Sequence, residues 1–485
     1  MTNSRRWRDG TLSSRRSLAA ACTCLALCGC ASLTIPPDAG VPRVIAPVAW
    51  SQPSPAGMPQ HLADWWTQLG DAELDRLMGE ALAVAPDLTA ARAKLRQARA
   101  NRDLAEANLR PSLGLSASAT RSRTGRDTGG SGSMKTLYAA GFDASWEVPI
   151  IGGLSDAAVG AAADAAAAAA SLEAAQVTLV AEVALNYINL RAYQLRLQIA
   201  RANVASQEET LQITDWRNQA GLATTLDIEQ ARTNLEQSRA SIPSLESSRA
   251  AAEHRLAVLA GRSPGALRER LATTQPLPTP PVDIAVGIPA DTLRQRPDVR
   301  AAELRLRAEI ARTAERAADR EPSLNLSGSL GWQAFGAAAL GGSGSLVRSL
   351  AASLAANLFD GGRIRARFDV QDAVHEQALV AYEKAILTAL EDVENALAGY
   401  AAGRERLVAR RRAANAAGNA ALLARTQYRA GLVDFQKVLD TERTRLTAED
   451  SLATAESDAL TATITLYKAL GGGWRPVPEQ VEEKS

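Results

Sequence analysis

The side chains that most often carry out catalysis are few and scattered in this sequence. The three histidines are His61, His254 and His375, and none stands at metal-ligand spacing to another candidate ligand. The sequence has no Gly-x-Ser-x-Gly segment and no phosphate-binding loop of the Walker type. We therefore expect no enzymatic activity and no metal or nucleotide cofactor.

The cysteines indicate a different chemistry, because all four lie within the first 30 residues. A basic start followed by a short apolar run is typical of an export signal. That run ends in Leu27-Cys28-Gly29-Cys30, which resembles a bacterial lipobox. We predict a lipoprotein signal peptide over residues 1–29, and covalent N-acyl and diacylglycerol lipid on Cys30. The alternative is an ordinary signal peptide with incidental cysteines. Ala31 follows instead of aspartate, which implies sorting to the outer membrane.

The charge of the chain argues against a nucleic-acid partner. The formal net charge is +1 at pH 7. The predicted signal peptide holds five arginines and one aspartate, net +4, so the mature chain is left at −3. Nucleic-acid-binding domains are instead strongly basic. We interpret the basic run 404–412 as a solvated helix face.

The chain is an internal duplication. Five anchors recur in constant order, each 209 to 211 positions later: Pro86-Asp87, Pro111-Ser112-Leu113, Gly152-Gly153, Ala220-Gly221-Leu222 and Gly261. Such regular recurrence indicates a repeated structural unit. We assign an N-terminal surface segment (30–60), a first repeat (61–261), a proline-rich equatorial linker (262–288), a second repeat (289–473) and a C-terminal tail (474–485).

Each repeat predicts a β-hairpin followed by a pair of long helices. In the hairpins, near 112–148 and 323–359, apolar residues alternate with small polar ones, which is the period of a strand. Strands of about ten residues suit a tilted membrane span, with a soluble sandwich as the alternative. The helical hairpins 154–260 and 363–470 begin with proline-free runs long enough for rods of ~100 Å.

A glycine interrupts each helical pair at the same place. Gly221 and Gly431 follow the long helices, where glycine adopts the left-handed conformation that ends a helix. Thr224 and Asp227 form a predicted capping box for the next helix, and Asp434 is the predicted cap of the last. The sequence thus predicts two helical tips of one construction.

Four membrane strands in one chain make an incomplete barrel. An open sheet in lipid would leave the backbone groups of both edge strands unpaired. Two copies would supply eight strands and three copies would supply twelve. Composition does not choose between these closures.

Several of these features together resemble the TolC/OprM-type outer-membrane factors, specifically the NodT-type lipoproteins of tripartite efflux systems. The specific marks are the lipobox, the duplication, the turn Phe359-Asp360-Gly361-Gly362-Arg363 and the segment Tyr-Arg-Ala-Gly-Leu from Tyr428. The resemblance covers roughly residues 60 to 475. It implies an α/β mixed membrane protein: a homotrimer whose twelve-stranded transmembrane β-barrel, four strands per protomer, continues into a long periplasmic α-helical barrel. It also implies a lipid-anchored protein in the outer membrane of a Gram-negative bacterium.

The resemblance further implies how the periplasmic tip closes. The tip latch of the family matches Tyr428, Asp227 and Arg443. A ring of Asp440 would narrow the lumen, with Gln436 one turn away on the same helix face. Symmetry-related carboxylates in a narrow pore repel each other and attract cations. The family often has an apolar residue where this chain has Gln436, so the sequence departs from the family there.

The implied partners are a periplasmic adaptor protein, an inner-membrane pump that supplies the energy, and outer-membrane lipid. The tip turns that would contact the adaptor comprise Ala220, Gly221, Leu222, Arg429, Ala430, Gly431 and Leu432. The expected function is the exit duct of a tripartite, RND-type efflux system. Such a duct conducts small molecules passively and is gated at its tip.

Two other functions are compatible with parts of the sequence. A duct for type I protein secretion uses the same architecture, and a neighbouring gene for a dedicated transporter would discriminate it. A structural coiled-coil lipoprotein without a pore would explain the long helices, but it does not explain strands with period two. The transported substrate and the paired pump and adaptor are not encoded in recognisable residues.

Overall fold

The computed structural model describes residues 43–44, 46–52, 62–123, 133–150, 152–281 and 284–475. The predicted signal peptide, Cys30, His61 and residues 476–485 lie outside the described residues. So does most of the predicted N-terminal surface segment.

The described part is mainly helical, with one small sheet, as the mixed fold class requires. After a 3-10 helix at Leu62–Leu69, the elements follow in this order: α1 (Ala72–Val84), α2 (Pro86–Ala107), β1 (Ser112–Arg123), β2 (Met134–Val148), α3 (Leu154–Gln219), α4 (Thr225–Leu259), α5 (Arg268–Leu271), α6 (Pro289–Gln295), α7 (Pro297–Ala318), β3 (Ser323–Ala334), β4 (Leu346–Ala355), α8 (Arg363–Arg429) and α9 (Phe435–Ala469).

The duplication is visible in the lengths of corresponding helices. Helices α2 and α7 each have 22 residues and begin with proline, which is suited to the first helical position. The long helices α3 and α8 have 66 and 67 residues, and the return helices α4 and α9 have 35 each. At 1.5 Å per residue the long helices are ~100 Å rods.

The four strands form one antiparallel sheet in the order β1-β2-β3-β4. Its register places Leu115 opposite Phe142, Phe142 opposite Leu330, and Leu330 opposite Arg348. Because side chains alternate along a strand, these residues and their same-face neighbours make one mostly apolar face. The other face carries small and polar residues such as Ser116, whose hydroxyl donates to Asp143.

The second hairpin is shorter than the pattern predicts. Strand β4 ends at Ala355, whereas the alternation was expected to carry the hairpin to residue 359. Strand β4 ends there because Ala355 pairs with Ser323, the first residue of β3, and Pro322 before it has no backbone N–H to donate. Farther along the chain Asp360 begins the turn into α8: its carboxylate accepts the backbone N–H groups of Gly362 and Ile364. These two bonds hold the pKa of Asp360 below its usual value.

The helical part is held together by an apolar core. There Trp65 stacks on Tyr467 with ring centroids 5.0 Å apart. Burial raises the pKa of Tyr467 to about 12. Helix α3 contains a stretch apolar enough to cross a membrane, but half of that stretch is buried inside the chain. Packing against neighbouring helices therefore accounts for its apolar character.

Candidate channel gate at the helical tips

The two helical tips have the same backbone. Gly221 and Gly431 both have φ of +73°, the left-handed conformation that favours glycine. In the first tip the N–H of Leu222 donates to the carbonyl of Arg217 at 2.7 Å. In the second tip the corresponding bond, from Leu432 to the residue 210 positions after Arg217, measures 2.9 Å. Both turns satisfy helix-end carbonyls in this way.

The caps of the return helices are confirmed. Thr224 and Asp227 form a capping box: the N–H of Asp227 donates to the Thr224 hydroxyl, and the N–H of Thr224 donates to the Asp227 carboxylate at 2.8 Å. At the second tip Asp434 accepts the N–H of Lys437 at 2.9 Å. Each tip therefore ends one helix and starts the next within five residues.

The predicted gate residues lie side by side on α9. Asp440 and Gln436 are both exposed, and Nε2 of Gln436 donates to Oδ1 of Asp440 at 3.0 Å. Gln436, one helical turn before Asp440, thus forms a polar pair with the carboxylate where an apolar side chain would form none. In a single chain this pair faces open space.

Tyr428 is buried in the second tip. Its ring packs against Phe435 with centroids 5.7 Å apart, in a small apolar cluster with Val438. Arg217, from the first tip, lies over the Tyr428 ring at 4.3 Å and donates to the Tyr428 carbonyl at 3.3 Å. Burial raises the pKa of Tyr428. The Arg217 charge opposes this shift, and Asp227 adds to it.

The other two predicted latch residues make their hydrogen bonds elsewhere. Asp227 accepts from Thr224 in its own capping box. The guanidinium of Arg443 donates to the Asn234 side chain, at 2.9 and 2.5 Å. In the described chain Tyr428 and Asp227 are close enough for an electrostatic effect, but the three latch residues do not form one hydrogen-bonded set.

A buried acidic group at this level escaped the sequence analysis. Glu442 on α9 is 5% exposed and lies between Arg425 of α8, at 2.5 Å, and Arg445 of its own helix, at 3.3 Å. Arg445 also donates to Asn203 of α3 at 3.0 Å. The spacing of Glu442 and Arg445 along one helix was visible in the sequence. Arg425 and Asn203 come close only in the folded chain.

The tip turns differ in the apolar surface that they expose. Leu222 and Leu432 are 69% and 75% exposed. The first tip also exposes Trp216 and Leu226. Of the other predicted contact residues, Arg429 is exposed and forms a weak ion pair with Glu209 at 3.7 Å. Within five residues of the turn glycine, the first tip therefore exposes more large apolar side chains than the second.

A sheet with one apolar face and two open edges, joined to ~100 Å helical hairpins, defines the class of outer-membrane channel subunits. The family model described as "Outer membrane efflux protein" matches residues 77–262 and 288–472. The two matched segments correspond to the two repeats. The chain belongs to the outer membrane efflux protein family.

Individual relatives agree with this assignment along almost the whole chain. The pyoverdine export outer membrane protein OpmQ of Pseudomonas aeruginosa is 34% identical over 95% of this chain and 98% of its own length. The toluene efflux pump outer membrane protein TtgC of Pseudomonas putida is 28% identical over 96% and 98%. The solved outer-membrane channel OprN is 35% identical, with a TM-score of 0.84 over 89% of this chain and 99% of that one.

These findings confirm the recognition from sequence. The protein is an outer-membrane exit duct of an efflux system in a Gram-negative bacterium. Members of this family are channels, so the chemistry to explain is passage and closure rather than catalysis. Among the described residues no group of three or more His, Cys, Asp or Glu side chains could hold a metal ion.

Proposed function

We propose that three copies of the chain close a twelve-stranded barrel in the outer membrane. The observation that carries closure between copies is the pair of open edges: β1 pairs only with β2, and β4 only with β3, in the described sheet. The number three rests on the resemblance to the outer-membrane factors. In lipid no water can satisfy these backbone groups, so β4 of one copy must pair with β1 of the next. Three copies, with four strands each, then make a barrel of twelve strands. The 66- and 67-residue helices continue it as a helical barrel in the periplasm.

The tip of the helical barrel is the gate. Asp440, exposed and paired with Gln436, faces its two symmetry copies across the axis and forms a narrow polar ring. Mutual repulsion of three carboxylates makes the ring selective for cations and responsive to its surroundings. Because Gln436 takes the place of an apolar residue, no apolar layer of this residue lies beside the carboxylate ring.

The latch contacts join the two helical hairpins of one chain. Tyr428 and Asp227 lie close enough in space for an electrostatic interaction. The hydrogen bond between Arg443 and Asn234 joins the return helices α9 and α4. Opening the ring requires the second helical hairpin to move away from the first. The contacts of Arg217 with Tyr428 and of Arg443 with Asn234 resist that movement.

The exposed leucines of the tip turns receive a periplasmic adaptor protein, which links the duct to an inner-membrane pump. Leu222 and Leu432 protrude beside glycines, where another helical tip can approach closely. The relatives are named for exporting pyoverdine and toluene, so we assign only the class of cargo, small organic molecules. Lipid on Cys30 adds an anchor in the periplasmic leaflet, and Cys30→Ala is expected to lower sorting more than channel shape.

Cross-linking at the edges of the sheet tests the closure. The mature chain has no cysteine besides Cys30, so introduced thiols are unique. We would place cysteines at Ser118 on β1 and Ser349 on β4, which share the polar face, and add a short bifunctional maleimide to membranes. The expected product is a ladder of cross-linked chains that ends at the trimer.

In the matched control the second cysteine is placed at Ser329 instead of Ser349. Ser329 lies on β3, inside the sheet. This pair should give no cross-link between chains. A ladder ending at the dimer would support an eight-stranded closure instead. Equal ladders from both pairs would show that the open edges do not meet.

A further inference from the structure

The register of the sheet sorts its charged side chains by face. The apolar face, defined by Leu115, Phe142 and Leu330, is the one that must contact lipid. Following the same register, the charged residues on this face are Arg121, Arg123 and Arg348, and those on the polar face are Lys135, Asp143 and Glu147. Every charge on the lipid-facing side is therefore an arginine.

These arginines lie toward the end of the sheet that is remote from the helices. Arg121 stands nine positions after Ser112, where β1 leaves the helical part, and Arg348 seven positions before Ala355, where β4 returns to it. At about 3.3 Å per residue these separations are roughly 30 and 23 Å along the strands. With a strand tilt of about 40° the side chains stand ~18 to 23 Å above the inner boundary, near the top of a ~25 Å apolar band.

That height is where an outward-facing arginine is tolerated. Charges on the lipid-facing side of a barrel are costly at the middle of the membrane and nearly without cost at its edges. Trp332 and Tyr138 share this face and end of the sheet, as interfacial aromatic residues do. The arginines thus stand in the outer part of the apolar band, from where their long side chains extend to the outer-leaflet headgroups.

The two arginines stand on opposite edge strands, so barrel closure brings them together. Arg121 is on β1 and Arg348 on β4, and both side chains are exposed in the single chain. When β4 of one copy pairs with β1 of the next, the difference of two positions in their heights corresponds to about 7 Å along a strand. One headgroup can contact both guanidinium groups at that separation.

We propose that Arg348 of one protomer and Arg121 of its neighbour form a binding site for the phosphorylated sugar headgroup of an outer-leaflet glycolipid. The site rests on the proposed trimer, because each subunit seam supplies one arginine from either side. Guanidinium groups bind phosphate oxygens in a bidentate manner, which favours phosphate over other anions. A trimer has three such sites, each in the outer part of the lipid-facing surface, with Trp332 two positions farther from the helices than Leu330, the partner of Arg348.

Lipid retention by the purified protein tests the site. Native mass spectrometry would count molecules of bisphosphorylated lipid A, and of its dephosphorylated form, bound to the wild-type trimer in detergent. We expect up to three lipid A molecules per trimer, and at least tenfold weaker binding of the dephosphorylated form. Arg348→Gln and Arg121→Gln should each weaken lipid A binding at least tenfold, and Arg348→Lys should weaken it less.

The control variant is Arg365→Gln, which removes one exposed arginine from α8, outside the sheet. It should bind lipid A as the wild type does. Wild-type protein that binds dephosphorylated lipid A or phosphatidylglycerol equally well would overturn the assignment. Sheet variants that retain lipid A as the wild type does would overturn it too. In both cases an intact trimer ladder would leave the proposed duct standing, whereas wild-type protein without a trimer would refute both proposals.

Discussion

The first and second helical tips share a backbone and differ in the side chains that it presents. Both turn through a glycine at φ +73°, and both return helices begin at a side-chain cap. At positions 210 apart, however, Leu226 and Gln230 of the first tip correspond to Gln436 and Asp440 of the second.

The two tips also differ in which aromatic side chains they bury. The second tip buries Tyr428 and Phe435 in its own core, whereas the first tip leaves Trp216 59% exposed. The two tips therefore share one backbone shape and differ in the side chains that they expose. We propose that the second tip carries the polar ring and its supports, and that the first tip supplies the larger share of the apolar surface for the adaptor.

The buried ion cluster should give the largest difference between the tips. Glu442→Ala removes the carboxylate that Arg425 and Arg445 share and leaves Arg445 with the longer ion pair to Glu449 at 3.6 Å, which should lower the free energy of local unfolding by about 2–3 kcal/mol. The corresponding change at the first tip, Arg232→Ala, removes an exposed pair with Glu229 and should cost less than about 1 kcal/mol. Hydrogen exchange resolved by peptide would measure both. Equal costs would contradict the asymmetry.

Alanine substitutions of the two turn glycines should lower tip stability equally but differ in their effect on solute leakage. An alanine Cβ at Gly221 or Gly431 meets no atom within 4 Å, so only the left-handed backbone is penalised, by about 1–2 kcal/mol in each case. We expect similar losses of tip stability by hydrogen exchange, but solute leakage only from Gly431→Ala. Gly399→Ala, within α8, is the control and should stabilise its helix by up to about 1 kcal/mol. Leakage from Gly221→Ala and not from Gly431→Ala would contradict a gate at the second tip and place it at the first.

Adaptor binding should depend more on the first tip. Trp216→Ala removes a large exposed aromatic side chain and should weaken binding of the purified adaptor about tenfold in surface plasmon resonance. The equivalent change at the second tip, Thr426→Ala, should alter binding less than about twofold. The proposal for the first tip fails if the second substitution has the greater effect.

Alkaline pH should increase the mobility of the second tip and not of the first. This is the smallest of the four expected effects. Because the folded pKa of Tyr428 is raised, its contribution to stability is complete below the unfolded value near 10 and is lost as pH rises through the folded pKa. The first tip has Asn218 at this position, which does not titrate. Spin labels at Leu222→Cys and Leu432→Cys would report mobility from pH 8 to 11. Tyr428→Phe should abolish the response, and an equal response at both tips would contradict the assignment.

The fold was predictable where its determinants are local in sequence. Alternation over ten residues located the strands, and one glycine followed by Thr224 or Asp434 located each tip. The early end of β4 was not predictable from its own alternation, because it depends on where the partner strand β3 begins, at the pair of Ser323 with Ala355.

The site was predictable only in part. The contact of Gln436 with Asp440 follows from helical spacing, and the structure contains it. The contacts of Arg217 with Tyr428 and of Arg425 with Glu442 join residues that are distant in sequence and carry no local signal. Contacts between protomers likewise depend on symmetry rather than on any segment of one chain.

Single-channel conductance in planar bilayers tests most directly whether the second tip is the gate. Wild-type trimer should give small, cation-preferring steps. Asp440→Ala should enlarge them and reduce the cation preference, because it removes the carboxylate ring. Gln230→Ala, the same position in the first tip, should leave them unchanged. Unchanged conductance in Asp440→Ala, or equal growth in both variants, would contradict a gate formed by the second tip.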